Sequence, residues 1–249
     1  MIRFDILTLF PDMFQSPFAS SVLKRAIDRG LIEVNIYNIR DFTADKHHVV
    51  DDSPYGGGSG MVMMAGPIVE GIEGIKSTNG SPMVILMTPQ GVTFNHGEAK
   101  RLSQCGHLLF ICGRYEGVDD RVRGYIDEEI SIGDYILMGG ELAVMVVIDA
   151  ISRFVPGVLG SEASVLEESF ADALLEYPQY TRPRVFRGKR VPEVLVSGDH
   201  RQITQWRRKE ALKRTLIRRP DLLEKANLPE DDLTLLEEIK REEGEGSHT

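Results

Sequence analysis

The chain has 249 residues, 42% of them hydrophobic, and a net charge of −9 at pH 7. No stretch approaches the roughly 18 uncharged apolar residues of a membrane span, and the N-terminus lacks a basic region followed by an apolar one, so neither a membrane protein nor a secreted precursor is expected. The two cysteines, Cys105 and Cys112, lack the spacing of metal ligands. Such sparse thiols suit core positions in a protein of the reducing cytoplasm.

The N-terminal segments predict an α/β fold. Ile2–Phe10 and Leu31–Ile39 are rich in β-branched and apolar residues, which is typical of strands. Between them, Phe14–Arg29 carries apolar residues at helical spacing, and Gly30 follows as a helix terminator. This strand–helix–strand order predicts a mostly parallel sheet.

Residues Arg40–Gly60 form a long polar loop that contains a glycine cluster. Loops of this length in compact domains are usually functional or disordered. No Lys-Ser or Lys-Thr pair follows the glycines, so a phosphate-binding P-loop is not supported. His47 and His48 lie near two aspartates, but adjacent side chains on an extended loop point apart, and no metal site is predicted.

Further elements follow in alternation along the chain. The pattern predicts a helix at Met61–Ile75, a strand at Met83–Met87, a helix at Asn95–Ser103, a strand at His107–Cys112, a short charged helix at Val118–Tyr125 and a helix at Glu141–Phe154. The last helix is apolar on most faces. Such a helix is buried either in the core or between subunits.

The stretch Ile111–Leu142 carries three short apolar runs that each end in glycine. They stop at Gly113, at Gly133 and at Gly139-Gly140. Glycine lets the backbone approach a flat ligand closely, and ligands of open α/β sheets bind beyond the carboxyl ends of the strands. The pattern therefore favours a ligand site, although ordinary turn glycines would give the same sequence.

The C-terminal third separates its charges. Arg182–Arg219 contains 13 Lys or Arg and 3 Asp or Glu, a local balance of +10, so the rest of the chain carries −19. Such asymmetry indicates a polyanionic partner. Arg201–Arg219 predicts a basic amphipathic helix, and Asp221–Ala226 and Pro229–Glu242 predict short acidic helices.

Seven blocks of sequence, in order, resemble one enzyme family. They are LFPDMF at Leu9–Phe14, DDSPYGGGSGM at Asp51–Met61, TPQG at Thr88–Gly91, CGRYEGVDDR at Cys112–Arg121, EEISIGDYILMGGEL at Glu128–Leu142, RFVPGVLG at Arg153–Gly160 and LLEYPQYTRP at Leu174–Pro183. The chain resembles the bacterial tRNA (guanine-N1)-methyltransferases over nearly its whole length.

The resemblance implies an enzyme of the SPOUT class, with a deep trefoil knot in a mostly parallel α/β domain and a small C-terminal α-helical domain. Its expected organisation is a methyltransferase domain at 1–160, a linker at 161–175, a helical tRNA-binding domain at 176–243 and a disordered tail at 244–249. The family is a homodimer that uses S-adenosylmethionine. It methylates N1 of the guanosine immediately 3′ of the tRNA anticodon when another guanosine precedes it.

Carried over to this chain, the family's methyl-donor pocket consists of three backbone segments. Its residues are Leu86, Met87, Thr88, Pro89, Gln90, Gly113, Tyr115, Glu116, Ile132, Gly133, Asp134, Tyr135, Ile136, Leu137, Gly139 and Gly140. Main-chain groups at strand ends can meet the polar adenine edges, and Ile132 and Leu137 can enclose the ring.

The family's catalytic residues align with Arg153 and Glu168. A guanidinium at Arg153 would stabilise negative charge on guanine O6, whereas by itself it reads equally as an arginine at the negative end of the preceding helix. Glu168 stands where the family usually has the aspartate base. Asp172 is a second candidate, on the same face if Glu168 begins a helix. Glu176 also replaces a usual aspartate, and the family's Mg²⁺ dependence carries over as an open expectation without an evident ligand cluster.

For RNA, the basic stretch supplies phosphate contacts, and four aromatic residues are available to stack on unpaired bases: Tyr177, Tyr180, Phe186 and Trp206. Trp206 is equally compatible with a core position. Two other functions stay open. One is methylation of another RNA position, such as ribose 2′-O, and the other is RNA binding without catalysis.

Overall fold

The computed structural model describes residues 1–160 and 168–246, and the chain divides into two compact units, Met1–Glu162 and Ala163–Thr249. The predicted linker at 161–175 therefore lies partly outside the described residues. Within the described ranges, no helix has the length and hydrophobicity needed to cross a lipid bilayer.

A five-stranded parallel sheet forms the centre of the first unit, in the order β2-β1-β6-β5-β7. The strands are β1 (Ile2–Thr8), β2 (Ile32–Asn38), β5 (Met83–Thr93), β6 (His107–Cys112) and β7 (Glu128–Ser131). The predicted α/β class with a mostly parallel sheet is confirmed.

Successive side chains of each strand point to opposite faces of this sheet, and both faces are buried under helices. On β6, Phe110 belongs to the core cluster that contains Val147 and Ile148 of helix α5 (Glu141–Ser152). Its neighbour Ile111 belongs to the opposite cluster, formed with helix α3 (Ala65–Asn79). Continuous apolar strands with helices on both sides are what a parallel sheet requires.

Shorter elements complete the first unit. They are 3-10 helices at Pro11–Phe14, Ile39–Phe42 and Asp120–Tyr125, helices α1 (Gln15–Phe18), α2 (Ser21–Asp28) and α4 (His96–Leu102), and strands β3 (Asp51–Asp52) and β4 (Val62–Met63). The Asn95 side chain caps α4, accepting a hydrogen bond from the Glu98 N–H at 3.1 Å.

Two predicted helices of this unit were wrong in extent. Phe14–Arg29 is not one helix, because Ser20 is extended, with φ −135° and ψ 156°, and Ser21, where α2 begins, has a left-handed φ of 57°. Met61–Ile75 does not begin as a helix, because the Met63 N–H donates to Gly117 O at 2.9 Å and its strand pairs with Asp51–Asp52. The run Tyr135–Met138 has no regular secondary structure.

The second unit is mainly helical. It contains the hairpin strands β8 (Val185–Phe186) and β9 (Lys189–Arg190), a 3-10 helix at Glu193–Val196, and helices α6 (His200–Arg218), α7 (Pro220–Leu223) and α8 (Glu230–Gly246). Asp199 caps α6, accepting from the Arg201 N–H at 3.0 Å. Leu174, Leu212 and Ile239 form a small buried cluster.

The last helix is longer than predicted. Its backbone continues through 244–246, where the tail was expected to begin, and residues 247–249 lie outside the described part. The buried Leu174 belongs to the core of this unit although it falls within the predicted linker.

Candidate active site

A cleft of about 560 Å³ opens at the carboxyl ends of β6 and β7, beside residues 86–90 of β5. Among the described residues, its lining includes every predicted donor-pocket residue except Asp134. Sequence reasoning missed Arg114, Gly117, Val118, Asp120, Arg123, Ile130, Ser131, Met138 and Ala143. Arg114, Gly117, Val118 and Asp120 all fall within the quoted CGRYEGVDDR block, which was the available signal.

The first wall of the cleft is formed by residues 86–90 of β5. Met87 and Val92 both pair with Ile130 of β7, so the residues between them bulge out of the strand pairing. A Cβ on Gly91 would lie 2.3 Å from the Ile130 nitrogen. Only glycine allows this backbone crossing, which holds the bulge at the edge of the cleft.

The second wall is the turn after β6. Tyr115 adopts a left-handed φ of 59° there. The Glu116 N–H donates to Met61 O at 3.0 Å, and Gly117 O accepts from the Met63 N–H at 2.9 Å. The far end of the long glycine-rich loop therefore supports this wall through backbone hydrogen bonds.

The third wall runs from Ile132 to Gly140. Gly140 donates its N–H to Gly113 O at 2.9 Å, and a Cβ on Gly140 would lie 2.9 Å from the Cys112 Cα. Gly133 has a φ of 142°, which L side chains rarely adopt. The two glycines are needed for different reasons. Gly133 adopts a backbone conformation that other residues disfavour, and Gly140 allows two backbone segments to approach closely.

An ion pair joins the second and third walls. Nη2 of Arg114 lies 3.1 Å from Oε2 of Glu141, whose side chain is 1% exposed. The Thr8 hydroxyl donates to Glu141 Oε1 at 2.9 Å, and the Arg114 guanidinium lies 4.1 Å from the centre of the Phe10 ring. Burial, and secondarily the negative charge of Glu141, raises the pKa of the neighbouring Cys112 thiol.

The cleft has the size of a small-molecule site and a lining of apolar and charged side chains. Its volume falls within the range of small-molecule sites, about 300–1,000 Å³. Apolar side chains Ile136 and Leu137 are 79% and 36% exposed. Glu116 and Asp120 line the same space together with Arg114 and Arg123, and Nε of Arg123 lies 2.7 Å from Oδ1 of Asp120.

Arg153 lies outside this cleft. It is the C-cap residue of α5 and lines a different pocket of about 280 Å³, together with Phe18, Asp149 and Ser152. Its position at the helix end agrees with the alternative interpretation of a cation near the negative end of the dipole. Its catalytic role stays a prediction.

Glu168 and Asp172 line one pocket of the second unit, of about 240 Å³, with Tyr177, Arg207 and Arg208. They do not share a helix face, because residues 168–175 form turns with left-handed φ values of 77° at Phe170 and 56° at Ala173. The helical argument for their proximity was wrong, although both side chains reach the same pocket.

Asp172 has a cationic partner in this pocket. Oδ2 of Asp172 lies 3.5 Å from Nη1 of Arg208. Arg208 is itself held by Asp232 of α8, with Nη2 2.5 Å from Oδ2. The hydrogen bond to Asp232, together with both carboxylate charges, raises the pKa of Arg208.

Within residues 1–160 and 168–246, no group of three or more His, Cys, Asp or Glu side chains is arranged to hold a metal ion. His48 instead directs Nδ1 toward the Arg40 carbonyl at 2.9 Å. The described residues therefore offer no fitted Mg²⁺ site, and no catalytic step is assigned to one.

Comparison with known proteins gives a consistent match. The profile of the family described as tRNA (guanine-1)-methyltransferase TrmD matches residues 2–225. A tRNA (guanine-N(1)-)-methyltransferase of Dictyoglomus turgidum is 57% identical over 242 residues, covering 97% of this chain and 98% of its own length. Those of Geotalea uraniireducens and Carboxydothermus hydrogenoformans are 57% identical (98% of this chain and 99% of the relative) and 58% identical (94% and 92%).

Proposed function

Because the chain belongs to the tRNA (guanine-1)-methyltransferase family, we propose that it transfers a methyl group from S-adenosylmethionine to N1 of the guanosine immediately 3′ of a tRNA anticodon. The observation that carries the proposal is the cleft formed by three separate backbone segments. Its lining includes nearly all the residues that the family resemblance assigns to the methyl-donor pocket. It rests on the match of family and cleft together.

The donor would be held by main-chain groups of all three walls. Ile132 and Leu137 offer apolar contact to the adenine ring, and the carboxyl-bearing Glu116 suits the cationic part of the molecule. When bound, the donor supplies an electrophilic methyl group on a sulfonium sulfur. The protein itself positions the guanine, removes a proton and stabilises charge.

Glu168 is the proposed base. Its carboxylate would accept the proton of guanine N1, and N1 would then form its bond to the methyl carbon as the carbon–sulfur bond breaks. Arg153 would stabilise the negative charge that develops on O6. Asp172 is the weaker candidate for the base, since its carboxylate faces Arg208 at 3.5 Å.

The proposal includes a homodimer, so that the donor cleft and Glu168 come from different subunits. An exposed apolar stripe supports it: Leu142 and Val146 of α5 are about half exposed, and Met138 beside them is 91% exposed. A surface of this kind marks an interaction site.

Two finer features of the family also belong to the proposal. One is the trefoil knot, which rests on membership of the family. The other is a cytoplasmic location, since the proposed substrate is tRNA.

The test is methyl transfer to tRNA transcripts that differ only in the nucleotide before the target guanosine. We expect 1-methylguanosine, identified by mass spectrometry of the digested RNA, only when that nucleotide is guanosine. Arg153→Ala should reduce kcat about 10²- to 10³-fold, the usual cost of losing an oxyanion contact. Formation of a 2′-O-methylnucleoside, or no transfer at all, would contradict the proposal and favour the two alternative functions.

A further inference from the structure

The hairpin of the second unit is exposed on both faces. Val185 pairs with Arg190 and Phe186 pairs with Lys189, and all the side chains from Val185 to Arg190 are exposed. An isolated two-stranded hairpin gains little stability by itself in water. Its persistence without a covered face suggests that its side chains are needed for contact with a partner.

The turn of this hairpin holds an arginine in an unusual conformation. Arg187 and Gly188 both have positive φ, 50° and 82°, as a two-residue turn with mirror-image geometry requires. Asn, Asp or Gly is the usual residue at the first of these positions, so Arg187 is strained. Its guanidinium lies 5.4 Å from the centre of the Phe186 ring. The strain at Arg187 indicates that its position beside the exposed Phe186 ring has a function.

The basic helix α6 is less available to RNA than its composition suggests. Three of its cations pair with carboxylates of α8: Arg208 with Asp232, Lys209 with Glu242 and Lys213 with Glu243. Two neighbouring cations are also paired, Arg219 with Asp221 and Arg184 with Glu193.

The hairpin carries three further cations. Arg187, Lys189 and Arg190 make no ion pair with any residue that the structure describes. Arg201 and Arg218 of α6 are also exposed and have no ion pair within the described residues, so what distinguishes the hairpin is that its three cations adjoin an exposed aromatic ring.

The other candidate stacking residues are engaged within the protein. The Arg207 guanidinium lies 4.8 Å from the Tyr177 ring centre, and the Tyr180 and Trp206 rings lie 6.3 Å apart. Trp206 is only partly exposed, whereas Phe186 is 61% exposed. Phe186 is thus the ring of the four with the most surface to offer a base.

We propose that the β8–β9 hairpin is a contact site for an unpaired segment of the tRNA substrate, in which Phe186 stacks on a base and Arg187, Lys189 and Arg190 bind phosphates. The chemistry is that of single-stranded RNA binding, in which aromatic rings accept any base and cations follow the backbone. The inference rests on the proposed function for the identity of the RNA.

The experiment measures tRNA binding by the full-length protein at several salt concentrations. Phe186→Ala should weaken binding roughly 5- to 150-fold, the usual range for one base–aromatic stack, and Phe186→Tyr should restore it. Lys189→Ala and Arg190→Ala should each reduce the slope of log K against log salt by about 0.7, the value for one phosphate contact on a single strand.

Lys213→Ala is the matched control, since Lys213 already pairs with Glu243 and its loss should leave the salt slope unchanged. Binding of S-adenosylmethionine and the melting temperature should stay the same in all hairpin variants, because their side chains are exposed. If the wild type methylates guanosine N1 but Phe186→Ala and Lys189→Ala bind tRNA like the wild type, the hairpin proposal is overturned alone. If the wild type transfers no methyl group, the proposed function fails, while the binding measurements still test the hairpin.

Discussion

The guanidinium of Arg114 and the carboxylate of Glu141 form an ion pair, with Nη2 3.1 Å from Oε2 and the Glu141 side chain 1% exposed. Arg114 follows β6 and Glu141 begins α5, so the pair ties one wall of the cleft to the helix that supports another. The Thr8 hydroxyl adds β1 to the same network.

Arg114→Ala should lower the free energy of unfolding by about 3–5 kcal/mol, because it leaves a buried carboxylate without its cation. Urea denaturation measures this change. The control is Arg121→Ala, which removes the 2.7 Å pair with Asp119 at a site where Arg121 is 77% exposed. That change should cost at most about 1 kcal/mol. If both variants lost the same free energy of unfolding, burial of Glu141 would not explain the cost of Arg114→Ala.

Gly140→Ala should strongly weaken binding of S-adenosylmethionine, measured by calorimetry. The added Cβ would lie 2.9 Å from the Cys112 Cα, and backbone cannot move aside as a flexible side chain can. The walls that carry Gly113 and Gly140 must then separate. Gly66→Ala is the control, since its Cβ would meet nothing within 4 Å on helix α3. Unchanged affinity in Gly140→Ala would show that the two walls need not touch.

Glu168→Gln should reduce kcat about 10²- to 10⁴-fold, the usual contribution of a general base, with little change in donor affinity. Asp172→Asn should reduce kcat far less, because Asp172 faces Arg208 at 3.5 Å. Single-turnover methyl transfer at saturating tRNA compares the two variants. A greater loss of kcat in Asp172→Asn than in Glu168→Gln would identify Asp172 as the base instead of Glu168.

Asp232→Asn should destabilise the second unit by about 1–3 kcal/mol, because it removes a charged acceptor from Arg208 at a nearly buried position. Thermal unfolding followed by circular dichroism measures the loss. Glu242→Gln, which affects the more exposed pair with Lys209, is the matched control and should change little. A tRNA affinity that rises in Asp232→Asn would indicate that α8 also masks Arg208 from RNA.

Asp119 should titrate well below an ordinary aspartate. Hydrogen bonds from Arg121 lower its pKa from 3.8 to about 2. A carboxyl whose pKa is lower in the folded state stabilises the fold above its unfolded pKa, and this contribution is lost as the pH falls from about 4 through about 2. An NMR titration should find the low midpoint in the wild type and a higher one in Arg121→Ala, still below 3.8 because the backbone N–H of residue 121 continues to donate to Asp119. Identical midpoints would contradict the assigned cause.

Much of the first unit was predictable because its signals are local. Alternating and continuous apolar runs indicated β1, β2, β5 and β6, and the order of strands and helices indicated a parallel sheet. The ends of elements were less predictable. Ser21 adopts its left-handed φ, and Met63 pairs as a strand, through local geometry and backbone partners that periodicity does not reveal.

The sequence by itself determined the family, the class of fold and the segments that line the cleft, because these depend on residue types kept in order along the chain. Only the tertiary structure decided which charges are available. The +10 of Arg182–Arg219 gives no hint that α8 neutralises three cations of α6, or that Arg114 is committed to Glu141. An ion pair depends on the distance between atoms, and that distance is set by packing between segments far apart in sequence.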